Sequence, residues 1–141
     1  MRIEVHCPVY PTEDVELVRS AICNVVGTSV PLVSVDGPVS EFRYCSETRE
    51  SLNHVRSRVH ELRIIDAVRS RLLSNWDGLR TRIALDKQAA LNRRIRLLDD
   101  SEETPPLGGI WIIMSFDGHT EFEALLSWLA PRTEGGRVIE T

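Results

Sequence analysis

The sequence predicts an α+β fold, with a single domain over residues 1–141. Two periodicities indicate this class. Apolar and polar residues alternate near residues 2–9 and 79–85, as in half-buried strands, whereas other segments repeat apolar residues at helical spacing. A chain of 141 residues can bury about two thirds of its unfolded surface, so its core needs no disulfide or metal ion. The predicted order of elements is β-α-β-β-α-α-β-β-β-α.

The chain begins with a strand and a helix. The predicted strand, residues 2–9, carries on one face Ile3, Val5, Cys7 and Val9. Thr12 is a suitable N-cap, acidic residues follow it, and apolar residues recur at helical spacing until Gly27. We therefore predict the first helix between Thr12 and Gly27.

Two strands and a broken helix are predicted next. Residues 29–35 and 39–45 are short β-type runs on either side of the turn signal at 36–38, so we expect neighbouring strands. A long helical region begins at Ser51. Its apolar stripe shifts by about 120° around the axis partway along, which one straight amphipathic helix would not show. We expect a break near residues 62–64.

The second half of the chain reads mainly as strands. Residues 79–85 and 93–98 alternate, and a short helical turn at 87–91 joins them. Residues 110–116 are apolar throughout, which is typical of an interior strand. A helix is predicted from about His119 to Leu129.

Positive charge is concentrated in one third of the chain. Residues 52–98 contain eleven bases and four acids, a net charge of +7, whereas the remaining residues have six bases and 17 acids, a net charge of −11. Sixteen of the seventeen bases are arginines, and Lys87 is the only lysine. The formal total of −4 hides this asymmetry.

Strand alternation predicts a cluster of arginines. Arg80 and Arg82 would share one face of the strand 79–85, and Arg94 and Arg96 one face of the strand 93–98. If these strands are neighbours, four guanidinium groups gather on one face, and like charges across a strand pair are destabilising. Arginine matches phosphate geometry, so this pattern favours non-enzymatic RNA binding. The predicted phosphate-facing residues are Arg80, Arg82, Lys87, Arg93, Arg94 and Arg96, with Arg56, Arg63 and Arg71 as flanks.

A second interpretation explains the same charge without RNA. Acids of the last helix, Asp117, Glu121 and Glu123, or the acidic loop 99–103, would neutralise the arginines within the protein or across a dimer. The protein would then be a protein-interaction module or a homodimeric structural module. The charge pattern leaves both alternatives open.

Other chemistry is sparsely supported. The cysteines Cys7, Cys23 and Cys45 are odd in number and widely spaced, which predicts reduced thiols in a cytoplasmic protein. The four histidines lack metal-ligand spacing, and no nucleophile elbow or phosphate loop is present, so we predict no metal, no cofactor and no enzymatic activity. No run is long enough to span a membrane. Trp111 and Trp128 lie in apolar contexts, where core packing is expected.

Several short motifs together resemble an uncharacterised archaeal family of predicted RNA-binding proteins with a suggested link to the exosome. They are PTED at 11–14, RIIDAVR at 63–69, LDKQAA at 85–90, PLGGI at 106–110 and WLAPRT at 128–133. The resemblance covers most of the chain. It implies a fold like that of ribosomal large-subunit protein five, with helices on one face of a mostly antiparallel sheet, and it supports RNA as the partner. Asp86 departs from the family's usual asparagine, and a carboxylate at this position would repel phosphate.

Overall fold

The computed structural model describes residues 1–34, 40–98, 108–134 and 137–138. The strands are β1 (Arg2–Val9), β2 (Leu32–Ser34), β3 (Ser40–Ser46), β4 (Arg80–Leu85), β5 (Ile110–Ser115), β6 (Thr133–Glu134) and β7 (Arg137–Val138). The helices are α1 (Val15–Val26), α2 (Asn53–Glu61), α3 (Ile65–Ser74), α4 (Lys87–Leu91) and α5 (His119–Leu129), and a 3-10 helix (Arg49–Leu52) precedes α2.

One antiparallel sheet organises the molecule. Its five strands follow the order β2-β3-β1-β5-β4, so β5 is an interior strand, as the apolar run at 110–116 predicted. The buried faces of β1 and β5 meet in register, with Ile3 opposite Met114 and Val5 opposite Ile112. Apolar side chains of α1, α2, α3 and α5 join these residues in one core cluster. The α+β prediction is confirmed.

The opposite face of the sheet is partly exposed. Strand residues alternate between buried and half-buried positions along β1 and β5, except that Arg2 at the start of β1 is exposed. Trp111 and Ile113 lie on the half-buried positions of β5, and the exposed Arg82 pairs with Ile113 from β4. Because the core lies on one side only, this second face is open to a partner.

The helix boundaries match the sequence patterns with one exception. The first helix is capped by Asp14, whose carboxylate accepts a hydrogen bond from the Glu16 amide at 2.9 Å, and not by Thr12. Gly27 ends that helix with φ of 85°, as predicted. The break near residues 62–64 is confirmed: α2 ends at Glu61, α3 begins at Ile65, and Arg63 between them has a φ of 58°.

The predicted strand at 93–98 is wrong. Among the described residues this segment forms a single β-bridge, Leu97 with Leu85, flanked by hydrogen bonds from the Asp86 amide to the Arg96 carbonyl and from the Leu98 amide to the Ala84 carbonyl. Arg93 takes a φ of 60° at the end of α4, which turns the chain and leaves room for only this short contact.

Some segments cannot be compared with the predictions, and one strand pair was not predicted. The turn at 36–38 and most of the acidic loop after Leu98 lie outside the described residues. The antiparallel pair of β6 and β7 was not predicted, because strands of two residues are too short to show a periodicity.

The outer edge of β4 is covered along its length. The carbonyl of Arg80 accepts from the Asp77 amide at 3.0 Å, that of Arg82 from Asn75 Nδ2 at 2.8 Å, and that of Ala84 from the Leu98 amide at 2.8 Å. An edge whose carbonyls are already bonded is a poor template for strand addition. A partner of this region therefore meets side chains.

Candidate functional site

The four predicted guanidinium groups do not form one face. Because Leu97 pairs with Leu85, the segment carrying Arg94 and Arg96 lies beyond the end of β4. Leu85 is three residues past Arg82, roughly 10 Å at the rise of a strand. The structure therefore separates Arg80 and Arg82 from Arg94 and Arg96, and the prediction of a paired-strand cluster is corrected.

Lys87 is turned inward and is not placed to meet a phosphate. Its Nζ lies 2.9 Å from the Glu13 carboxylate and donates to the Pro8 carbonyl at 2.6 Å, and the Lys87 side chain is only 11% exposed. The ammonium also lies 5.4 Å from the centre of the Tyr10 ring. The Asp86 carboxylate caps α4 by accepting from the Ala89 amide. The first turn of the motif LDKQAA therefore has a structural role.

Two of the predicted flanking arginines are held by backbone carbonyls. Arg56 Nε donates to the Trp128 carbonyl at 2.8 Å and its guanidinium lies over the Trp128 ring. Arg71 donates to the Leu98 carbonyl. Both are partly buried and tie distant segments together, whereas the third flank, Arg63, is exposed. Arg56 and Arg71 therefore act as structural links.

Two exposed arginines of the segment after α4 line a groove. We call this concavity the α4 groove; its volume is about 740 Å³. It lies between the α2–α3 break and α4, and it is lined by Leu62, Ile64, Asp86, Gln88, Ala89, Asn92, Arg94, Ile95 and Arg96. Arg94 and Arg96 are exposed at its edge, and Arg93 is exposed beside it.

Both ends of the α4 groove are shaped by arginines in the left-handed backbone region. Arg63 and Arg93 are the non-glycine residues with positive φ in the described chain. Each follows the end of a helix, and the next amide bonds back to the helix: Ile64 to the Val59 carbonyl at 3.1 Å, and Arg94 to the Ala89 carbonyl at 2.8 Å. This is the Schellman geometry, in which glycine is the usual residue.

The second exposed pair of arginines lies on the open face of the sheet. The Arg82 guanidinium lies 5.3 Å from the centre of the Trp111 ring, so Trp111, expected in the core, instead stacks with an arginine at the surface. Trp128 is half-buried against the core, in agreement with the expectation. Other bases on the open face are neutralised locally, since Arg2 pairs with Glu4 and Arg43 with Glu41.

Two of the acids proposed to neutralise the arginines have other partners. Glu121 pairs with the amino group of Met1 at 2.8 Å, and Glu123 pairs with His119 at 2.9 Å. In the residues that the structure describes, no salt bridge involves Arg80, Arg82, Arg93, Arg94 or Arg96. The acidic loop lies outside those residues. Within the described part of the chain, these exposed arginines therefore have no carboxylate partner.

Groups suited to other chemistry are not assembled in the described ranges. No set of three or more His, Cys, Asp or Glu there could hold a metal ion. Burial raises the pKa of the Cys7 thiol to about 12, so this thiol stays protonated at neutral pH and is a poor nucleophile. None of the described helices combines the length and apolar character required to cross a membrane.

Sequence reasoning missed the apolar and amide side of the α4 groove. Leu62 and Ile64 fall at or beside the predicted break between helices, and Gln88 and Asn92 are uncharged. None of the four was therefore predicted as a site residue, although all of them line the groove. No sequence signal marks the two helix endings that bring these residues together, because glycine, the usual residue of such endings, is absent at Arg63 and Arg93.

The fold and the groove define a small α+β protein with an arginine-rich surface. A family model described as RNA binding matches residues 2–116. A UPF0201 protein of Metallosphaera sedula is 35% identical over 136 residues, which cover 96% of this chain and 92% of that protein. One from Aeropyrum pernix is 34% identical over 140 residues, covering 99% and 91%. The chain belongs to this archaeal UPF0201 family.

Solved structures share the fold. The crystal structure of a UPF0201 protein from Methanococcus jannaschii matches with a TM-score of 0.80 at 24% identity and covers 99% of this chain and 100% of the other. Another UPF0201 crystal structure matches with a TM-score of 0.76 at 26% identity, over 99% and 100% of the two chains. The likeness to ribosomal large-subunit protein five and the exosome link stay predictions.

Proposed function

We propose that this protein is a non-enzymatic RNA-binding protein that contacts phosphates through the arginines around the α4 groove. The carrying observation is that Arg93, Arg94 and Arg96 are exposed and lack ion pairs within the described residues. They lie on one short segment, although acids outnumber bases in the chain as a whole. The match to an RNA-binding family model supports the proposal.

The geometry also ranks the remaining predicted residues. Arg63 is exposed beside the α4 groove and joins the phosphate-contacting group. Arg80 and Arg82 form a second basic area on the open face of the sheet, where Arg82 stacks on Trp111. Lys87, Arg56 and Arg71 are left out, because a buried carboxylate or a backbone carbonyl already binds each of them.

Arginine suits this role for three physical reasons. Its guanidinium stays charged at any physiological pH and presents donors in a planar fork that fits a phosphate. A local patch, and not the total charge, sets the field that a polyanion meets. Phosphate contacts release counterions from RNA, which makes affinity fall as salt rises.

The test is a salt titration of binding to a fluorescently labelled RNA hairpin. Fluorescence anisotropy should show log affinity falling linearly with log salt, with a slope of about −0.7 to −0.9 per phosphate contact. The double variant Arg94→Glu/Arg96→Glu should bind at least about tenfold more weakly and show a shallower slope. The double variant Arg43→Glu/Arg49→Glu changes the charge by the same amount at two exposed arginines that do not line the groove; it is the matched control and should bind like the wild type.

Two results would overturn the proposal. One is the absence of hairpin binding even at low salt. The other is that the Arg94→Glu/Arg96→Glu variant binds as tightly as the control. The alternative, a protein-interaction or homodimeric module, predicts a different outcome in light scattering. In that case the double variant would lose an oligomer that the wild type forms, while RNA affinity would be absent from both.

A further inference from the structure

The α4 groove contains more than positive charge. Leu62, Ile64 and Ile95 also line it, so apolar side chains lie beside the arginines. Leu62 is 41% exposed, so a ligand in the groove can contact it. Phosphate contacts alone do not require apolar side chains. The apolar surface therefore indicates a ligand that is anionic at one end and flat or apolar at the other.

Two amide side chains line the same groove. Gln88 is exposed on α4, and Asn92 follows the end of that helix. Asn92 Nδ2 donates to the Gln88 carbonyl at 3.0 Å, which positions this amide and uses one of its two hydrogens. Amides present a donor and an acceptor side by side, the arrangement that reads the edge of a nucleobase.

The size of the groove restricts what enters it. A volume of about 740 Å³ lies within the roughly 300–1,000 Å³ range of small-molecule sites. It is suited to one nucleoside and too small for a double helix. Paired bases in an RNA duplex are also hidden in a deep, narrow groove, whereas unpaired bases can be splayed out into a pocket.

The backbone at both rims is strained in a way that glycine would relieve. A left-handed conformation is unfavourable for a non-glycine residue, because its Cβ lies too close to the following carbonyl oxygen. The residues on either side of Arg63 and of Arg93 line the groove, so the strained turns shape it. Strain of this kind concentrates at ligand-binding sites, where the side chain is used.

We propose that the α4 groove binds a single unpaired nucleotide of the RNA. The base lies against Leu62 and Ile64, the amides of Gln88 and Asn92 read its edge, and Arg94 and Arg96 hold the adjacent phosphates. This inference rests on the proposed RNA binding and extends it to a substrate class, structured RNA with an unpaired nucleotide.

The experiment compares two RNA hairpins that differ in one nucleotide, and both stems are closed by a non-nucleotide linker so that neither RNA has unpaired loop bases. One is fully paired in its stem, and the other carries a single bulged adenosine, the base that asparagine and glutamine pair with in bidentate fashion. Anisotropy should show the bulged hairpin binding about tenfold more tightly, a preference in keeping with one bidentate contact. In the variant Gln88→Ala/Asn92→Ala the preference should fall below about twofold, while affinity for the paired hairpin is unchanged. Asn53→Ala, an exposed asparagine on α2, is the control.

A second measurement uses the wild-type protein. A hairpin with 4-thiouridine at the bulge should form a photo-crosslink to residues 62–64 or 86–96, mapped by mass spectrometry. Equal affinity for both hairpins, with salt dependence retained, would overturn the inference and leave the proposed function intact. A crosslink confined to other residues would also overturn it. If neither hairpin binds at any salt concentration, the proposed function fails and the inference fails with it.

Discussion

At the residue scale, Lys87 shows that a basic residue in a basic segment can stabilise the fold and not contact a ligand. It is the only lysine in the sequence, and it lies in the basic segment. Yet its ammonium contacts the Glu13 carboxylate, and Glu13 in turn accepts from the Tyr10 amide at 3.0 Å. The side chains of Lys87 and Glu13 are 11% and 9% exposed, so this pair joins α4 to the end of β1 in a nearly dry environment.

Breaking this ion pair should destabilise the protein without weakening RNA binding. Lys87→Met leaves the Glu13 carboxylate buried without its partner, which costs about 3–5 kcal/mol in free energy of unfolding. Urea denaturation followed by circular dichroism measures the change. The control is Arg58→Ala, which removes an exposed pair with Glu61 and should cost less than about 1 kcal/mol.

The double variant Lys87→Met/Glu13→Leu removes both charges and should recover most of the lost stability, since no buried charge remains. Its affinity for the RNA hairpin should stay within about twofold of the wild type, because the Lys87 ammonium is buried and paired in the wild-type protein and does not contact the RNA. A folded Lys87→Met variant with normal stability and lost RNA affinity would contradict the structural role.

At the scale of elements, three helix endings share a residue with positive φ, but the residue types differ. The helices α1, α2 and α4 are each followed by a residue with positive φ: Gly27 at 85°, Arg63 at 58° and Arg93 at 60°. Glycine adopts this conformation without strain, and arginine does not. The neighbours of both arginines in the chain line the α4 groove, whereas those of Gly27 do not. The two strained turns therefore lie at the rim of the groove.

Arg93→Gly should separate stability from binding. Relief of the left-handed strain, about 1–2 kcal/mol, exceeds the entropy cost of an added glycine, roughly 0.5–1 kcal/mol, so the free energy of unfolding should rise by up to about 1 kcal/mol. Hairpin affinity should fall, because one positive charge is lost. Chemical denaturation measures the free energy of unfolding, and fluorescence anisotropy measures the hairpin affinity.

Gly27→Ala is the opposite control and should lower stability, since it adds strain and its Cβ would lie 2.5 Å from the His54 ring. A loss of stability in Arg93→Gly would argue against stored strain.

The elements also show what the sequence could and could not predict. The strand β1, the break at 62–64 and the helix α5 carry strong apolar periodicities, and each lies where it was predicted. The segment 93–98 alternates too, but the turn at Arg93 decides its path, and no local pattern reveals a non-glycine residue with positive φ. The site depends on the same turn. Exposed arginines were predicted from charge, whereas the α4 groove needs the contact between two helix endings distant in sequence.

At the scale of the whole molecule, the charge distribution decides which surfaces a polyanion can meet. The chain carries a formal charge of −4, so the average field repels phosphate. Locally, the groove arginines lack ion pairs in the described structure, while Arg2 and Arg43 on the sheet are paired with glutamates. Association at moderate salt responds to the local field, because charges farther away than about 10 Å are screened.

Retention on phosphocellulose tests this distribution without any RNA. At pH 7.5 and low salt the wild-type protein should bind the resin despite its net negative charge, since the groove presents several arginines to the phosphates. The triple variant Arg93→Glu/Arg94→Glu/Arg96→Glu should flow through. A second triple variant, Arg2→Glu/Arg43→Glu/Arg132→Glu, has the same total charge but leaves the groove intact, and it should be retained and elute near the salt concentration of the wild type. If both variants flow through, total charge and not the groove governs the interaction. If only the groove variant does, the affinity for phosphate resides in the segment after α4.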